Sequence, residues 1–156
     1  MSALPQHPEV FFEPLLAPWL DTVVAIETRA YAHPWNRINF MDALHSGYQA
    51  QMLVADGTVL GYFVAMQGLD EVHLLNITVD PQYQGQGLAR VLLDGLALWA
   101  RGQAAQTLWL EVRVGNARAI HVYEAHGFRR VGHRKAYYPA GDGLREDAIV
   151  MSQHLY

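Results

Sequence analysis

The chain has 156 residues, 51% of them hydrophobic and 17% charged, with a net charge of −4 and a pI near 6.0. That length predicts one domain spanning residues 1–156, the composition excludes a disordered chain, and no run approaches the ~20 apolar residues that cross a bilayer. The acidic balance argues against direct nucleic-acid binding and suits a cationic partner, while the absence of cysteine excludes disulfides, thiolate metal sites and a cysteine nucleophile, and fits a reducing cytoplasm.

Met1 to His7 carries no basic stretch leading into an apolar one, so no export signal is expected. Glu9 to Pro14 reads as a short first strand. Pro18 suits a first helical position, and Leu20, Val23, Val24 and Glu27 follow at helical spacing. His33-Pro34-Trp35-Asn36 interrupts that helix, and Asn36 is a candidate N-cap for a second one over 37–46. Residues 48–55 and 58–67 are strand-like, and Asp56-Gly57 between them is a two-residue hairpin turn. Residues 71–79 are β-rich and apolar on both faces, as in a central strand.

A Gly-rich bend, Gln84 to Ala89, opens a helix whose stripe is Leu88, Val91, Leu92, Gly95, Leu96 and Trp99. Residues 107–114 form another central strand. Asn116 can cap a short helix to about Ala125, with Gly127 as its C′ residue. Two last strands, about 128–138 and 145–154, flank a Pro-Ala-Gly-Asp-Gly loop. The order β-α-α-β-β-β-α-β-α-β-β predicts an α/β domain with a mixed sheet and helices on both faces.

The bend carries the chemistry. Strand, Gln84-Gly85-Gln86-Gly87-Leu88-Ala89, then a helix start places unpaired N–H groups and the positive end of a helix dipole at one spot, which suits a phosphate. A Walker loop would need Lys followed by Ser or Thr, and a dinucleotide fingerprint would need a third Gly where Arg90 stands. His121 and His126 lack a third ligand, so no metal is expected.

The bend fits Q/R-x-x-G-x-G/A, the pyrophosphate loop of the GNAT superfamily of N-acetyltransferases. About twenty residues on, Leu108-Trp109-Leu110-Glu111-Val112-Arg113, Asn116-Ala117-Arg118-Ala119-Ile120, Tyr123-Glu124 and Gly127-Phe128 resemble the second half of that superfamily. With Tyr137-Tyr138-Pro139 and Arg145-Glu146-Asp147-Ala148, the chain resembles the RimI-type ribosomal-protein alanine N-acetyltransferases over about residues 30–153.

The resemblance implies a GNAT fold: about seven mostly antiparallel strands, splayed between 71–79 and 107–114, with about four helices. It implies acetyl-CoA as co-substrate, bound along Ile77, Thr78 and Val79, around Gly85, Gln86, Gly87, Leu88, Ala89 and Arg90, and at Asn116. It implies Glu111 as general base and Tyr123 as general acid in direct transfer without metal, and Trp35, Tyr137 and Tyr138 at the peptide entrance. The partner it implies is a protein N-terminus, in this family a ribosomal protein with Ala or Ser first.

The residues alone leave alternatives open. Burial in an apolar strand raises a carboxylate's pKa and would make Glu111 a better base; an ion pair with Arg113 or Arg118 would make it structural. Tyr123 as acid stands against a core tyrosine. Glu146 and Asp147 either face a cationic peptide or are only solvated. Other acceptors within the superfamily are a small amine or a lysine; outside it stand a non-catalytic acyl-CoA-binding module and a nucleotide-phosphate protein.

Overall fold

The structure, a computed structural model, describes residues 9–156; the reading of Met1 to His7 falls outside them. In chain order the elements are β1 (Phe11–Pro14), α1 (Leu20–Ala30), α2 (Arg37–His45), β2 (Gln49–Ala55), β3 (Thr58–Gln67), β4 (Glu71–Val79), α3 (Leu88–Gly102), β5 (Thr107–Arg113), α4 (Ala117–His126), β6 (Arg129–Gly141) and β7 (Leu144–His154). The succession is the one that periodicity predicts.

Local chemistry sets the boundaries. Pro18 lies in a one-turn 3-10 helix, Ala17–Trp19, just ahead of α1, rather than opening α1 itself. Asn36 caps α2 reciprocally with Asn39: each side-chain oxygen accepts the other's backbone N–H at 2.9 Å. Asn116 caps α4 through Ala119 N–H at 3.2 Å. The second hairpin is tighter than expected. Its strands run to Gly141 and from Leu144, leaving only Asp142 and Gly143, both left-handed at φ 51° and 74°, as the turn. This repeats the Asp-Gly turn at Asp56-Gly57.

The seven strands form one sheet in the order β1-β2-β3-β4-β5-β7-β6. Every neighbouring pair is antiparallel except β4 with β5. Each face of the sheet carries its own core. Leu88, Leu92, Leu93 and Leu96 of α3 and Ile120 of α4 pack with Val72, Leu74, Leu108, Leu110 and Val112 on one face. Leu20, Val23 and Ile26 of α1 and Phe40 of α2 pack with Met52, Tyr62 and Val64 on the other.

The expected splay is present, and its register shows how it arises. β4 and β5 pair only at Glu71–Thr107, Val72–Leu108 and His73–Trp109. β5 then stays with β7 as far as Arg113, while β4 stays with β3. In the β3–β4 ladder Val64 faces Asn76 and Ala65 faces Leu74, so Leu75 is an extra residue, a β-bulge. Because side chains alternate with period two, that one residue reverses the faces of everything after it. His73 before the bulge and Asn76 and Thr78 after it all point toward the α1–α2 face. The bulge bends β4 away from β5 and leaves 74–79 without a partner on that side.

Candidate active site

A cleft of about 500 Å³ opens where β4 and β5 part, between the start of α3 and the length of α4. Its floor holds Ile77 and Val79 of β4, and its rim holds Gly85, Gly87, Leu88, Ala89 and Arg90. Asn116, Arg118, Val122 and Tyr123 form the α4 wall. Gly87 is the N-cap of α3 at φ 78°, a left-handed conformation that glycine adopts without strain, and no heavy atom lies within 4 Å of where a Cβ would stand. The first turn of a 15-residue helix, whose N–H groups have no partner within the helix, therefore stands at the rim of the cleft. Among the described residues no Asp or Glu lines this cleft, whereas Arg90 and Arg118 do. In a chain of net charge −4, such a wall selects an anion.

Of the residues expected around the co-substrate, Ile77, Val79, Gly85, Gly87, Leu88, Ala89, Arg90 and Asn116 share this cleft. The Thr78 side chain points to the opposite face, where its hydroxyl donates to Asn76 Oδ1 at 2.8 Å. Tyr123 lines the cleft from α4. Burial raises its hydroxyl well above the ordinary tyrosine range, and the nearby Tyr31 and Tyr138 add to that. It is protonated at every physiological pH.

Glu111 lies on the other side of the sheet. Leu110 and Val112 enter the α3–α4 core, so Glu111 between them faces away from it. Its Oε2 is 2.7 Å from His73 Nε2, and its Oε1 accepts from the Tyr137 hydroxyl at 3.1 Å. Arg134 Nε stands 3.9 Å off, and the carboxylate side chain is only 5% exposed. The expectation of a raised pKa is overturned. Burial pushes it up, but the hydrogen bond and charge of His73, then Tyr137 and Arg134, outweigh burial and hold the carboxyl below its ordinary range. Neither Arg113 nor Arg118 pairs with it. Arg113 meets Glu146 and the Pro139 carbonyl, and Arg118 meets Gln84 Oε1.

Tyr137 and Tyr138 stand edge to face, centroids 4.9 Å apart, with the Arg113 guanidinium 4.5 Å above Tyr138. Burial, then Glu111 and Tyr137, raises the Tyr138 hydroxyl, and Tyr138 in turn adds to the rise at Tyr123. Glu146 and Asp147 are neither free nor merely solvated. Glu146 Oε2 accepts Gly115 N–H at 2.9 Å. Asp147 accepts Ala136 N–H at 2.7 Å and lies 2.7 Å from His133 Nε2. Asp147 holds the β6 bulge, where Ala136 sits at φ 52° and from which Tyr137 reaches Glu111, while Glu146 ties β7 to the end of β5. Trp35 turns its ring edge-on to Phe40, 5.1 Å away, and packs on the α1–α2 core.

Two residues escaped the sequence reading. Glu27 is 2% exposed and accepts from Tyr62 OH at 2.7 Å, Asn76 Nδ2 at 3.1 Å and Trp35 N–H at 2.9 Å. Its place on the apolar stripe of α1 was the available signal. Tyr31 lines the cleft, and its hydroxyl donates to the Ile77 carbonyl at 2.7 Å and lies 2.9 Å from Thr78 Oγ1. Burial pushes that hydroxyl up to about 12.

A split sheet with an anion cradle at its opening is the architecture of an acyl-CoA-dependent transferase, and residues 15–128 match the acetyltransferase (GNAT) family. The chain belongs to that family. It is 44% identical over 133 residues to the [ribosomal protein bS18]-alanine N-acetyltransferase of Escherichia coli K12, covering 85% of this chain and 89% of that one. The protein of the same description from Haemophilus influenzae is 38% identical over 86% of this chain and 92% of its own. The crystal structure of the Escherichia coli ribosomal-protein-S18-alanine N-acetyltransferase superposes with a TM-score of 0.86 at 39% identity, covering 94% of both chains. Among the described residues no helix is long and apolar enough to cross a membrane.

Proposed function

We propose that this protein transfers an acetyl group from acetyl-CoA to the N-terminal α-amine of a protein beginning with alanine, ribosomal protein bS18 being the substrate for which its relatives are named. Such an N-terminus is met in the cytoplasm, the compartment this reading implies. One observation carries the proposal. The cleft at the parting of β4 and β5 has the anion cradle on its rim and Tyr123 on its wall, and Glu111 lies on the opposite face of the sheet, two residues past Trp109, the last β5 residue paired with β4.

The cleft suits the co-substrate in charge and shape. Gly85, Gln86, Gly87, Leu88, Ala89 and Arg90 would hold a diphosphate on the α3 N-terminus, with Asn116 opposite and Ile77 and Val79 along the floor. When bound, the thioester supplies the acetyl group and a thiolate leaving group. Glu111 takes the proton that the ammonium must lose, directly or through water. Tyr123, kept neutral by burial, gives its proton to the departing sulfur and is made good by the second proton, which the nitrogen loses as the C–N bond of the amide replaces the C–S bond. Tyr137 and Tyr138 border Glu111 and frame the entrance for the peptide.

The low basicity of Glu111 bears on the acceptor. An α-amine with a pKa of ~8 is roughly a tenth neutral at pH 7, whereas a lysine at ~10.4 is neutral well under a thousandth of the time. A weak base therefore serves an α-amine and serves lysine poorly. The test is a panel of peptides differing in the first residue, together with lysine peptides and small amines, scored by release of coenzyme A. Turnover on Ala-initial peptides is expected; turnover on small amines alone would overturn the protein substrate. Mass spectrometry of protein N-termini from cells with and without the gene would then name the target.

A further inference from the structure

His73 has no part in the transfer described above, yet it is held more firmly than packing requires. It is the last β4 residue paired with β5, opposite Trp109. Its ring lies flat on the Trp109 indole, with centroids 3.6 Å apart and planes within 8°. Its Nε2 is 2.7 Å from Glu111 Oε2, and its side chain is 13% exposed. An ionised carboxylate only accepts, so a neutral imidazole at this distance gives its single N–H to Glu111. The hydrogen bond spans the two strands at the point where they begin to diverge.

The other groups facing this pair differ in kind. From β6 come Tyr137 at Glu111 Oε1, Arg134 at 3.9 Å, and Tyr138, whose hydroxyl lies in the field of Glu111. β7 places Val150 opposite Glu111, and β3 places Met66 opposite His73. Arginine is always charged, and burial and Glu111 keep Tyr137 protonated.

We infer that His73 is a positioning residue for the acetyl transfer: the stack on Trp109 fixes its ring, and its ring nitrogen fixes the Glu111 carboxylate where β4 and β5 begin to part. The inference rests on Glu111 being the proton acceptor, and the experiment separates the two ideas.

The test measures kcat and KM with acetyl-CoA and a synthetic Ala-initial peptide. The variants are His73→Phe, His73→Gln, Glu111→Gln and the double variant His73→Phe/Glu111→Gln. Phenylalanine keeps the stack on Trp109 without the N–H; glutamine keeps a donor that cannot charge. His73→Phe is expected to lower kcat about tenfold or more, the scale of a lost hydrogen bond to a charged group, with KM for acetyl-CoA unchanged. His73→Gln should restore most of the lost rate. In the Glu111→Gln background, His73→Phe should add no further loss. An unchanged kcat in His73→Phe, no rescue by His73→Gln, or a loss that simply multiplies onto that of Glu111→Gln, overturns the positioning role. Wild-type turnover in Glu111→Gln itself would instead remove Glu111 from the chemistry, and the role of His73 with it.

Discussion

Glu27 and Glu111 are two carboxylates withdrawn from water on the same face of one sheet, and they are held in opposite ways. Glu27 is surrounded by fixed neutral donors, the Tyr62 hydroxyl, the Asn76 amide and the Trp35 N–H, drawn from β3, β4 and the segment leading into α2. Glu111 is held by a neutral Tyr137 hydroxyl, by His73 and by the fixed charge of Arg134. Neutral donors alone satisfy a buried charge and leave it nothing to do but join the elements that supply them. On the function proposed above, the structural acid and the reactive acid are thus told apart by the chemistry of their partners rather than by depth, since both are nearly inaccessible.

Substitutions should separate them cleanly. Glu27→Ala would orphan three donors at about 1–3 kcal/mol each, so a loss of roughly 3 kcal/mol or more of stability is expected in denaturant unfolding. Retained stability would mean that Glu27 is no anchor. Glu111→Gln should fold normally, bind acetyl-CoA with unchanged affinity by calorimetry, and lose turnover by ~10²-fold or more. Tyr123→Phe should behave alike.

Gly61→Ala tests the wall shared by the two regions. A Cβ there would stand 2.5 Å from the Thr78 carbonyl oxygen and 3.2 Å from Leu92 Cδ1, so β4 must shift. A fall in stability of about 1–3 kcal/mol, typical of overpacking, should come with weaker acetyl-CoA binding, readable by thermal shift. Asp147→Asn acts at longer range. It loosens the Ala136 turn that aims Tyr137 at Glu111, and a few-fold fall in kcat without loss of acetyl-CoA affinity is expected.

The smallest effect is one of pH. The folded-state pKa of Glu111 lies below the ordinary value of 4.5. Its ionised form therefore adds stability that is present above 4.5 and is lost as pH falls through the lower folded value. Glu111→Gln should flatten the acid side of a plot of Tm against pH, and an unaltered slope there would contradict the depressed value.

Much of this was legible beforehand. Caps at Asn36 and Asn116, the Asp56-Gly57 turn and the cradle from Gln84 to Ala89 are all local, set by residues within a few positions of each other. What escaped was long-range. Glu27 meets partners up to 51 residues away, and no periodicity reports who sits opposite whom. His73 looked like one polar position in a central strand, since its partner comes from a strand 38 residues on. The Leu75 bulge has no marker such as glycine, and shows only as a change of phase between two ladders. The direction of the Glu111 shift could not be foreseen, because burial in a strand suggests a raised pKa and the partners that reverse it come from β4 and β6. The Asp142-Gly143 turn, by contrast, carried the same two-residue signature as the first hairpin; the Pro and Gly just before it made it resemble a longer loop.

The single extra residue at Leu75 has one more effect. It leaves the backbone hydrogen-bonding groups on the β5 side of six residues of strand, 74–79, without a ladder partner, in the middle of the sheet rather than at its margin. At a margin, such groups are an invitation to sticky self-assembly with other chains. Recessed between β3 and β5, they are out of reach of a whole foreign strand and open only to something slender and linear. The molecule thus hides its most adhesive backbone inside itself, and deleting that residue would be expected to close the seam, yielding a sturdier sheet with nowhere for its chemistry.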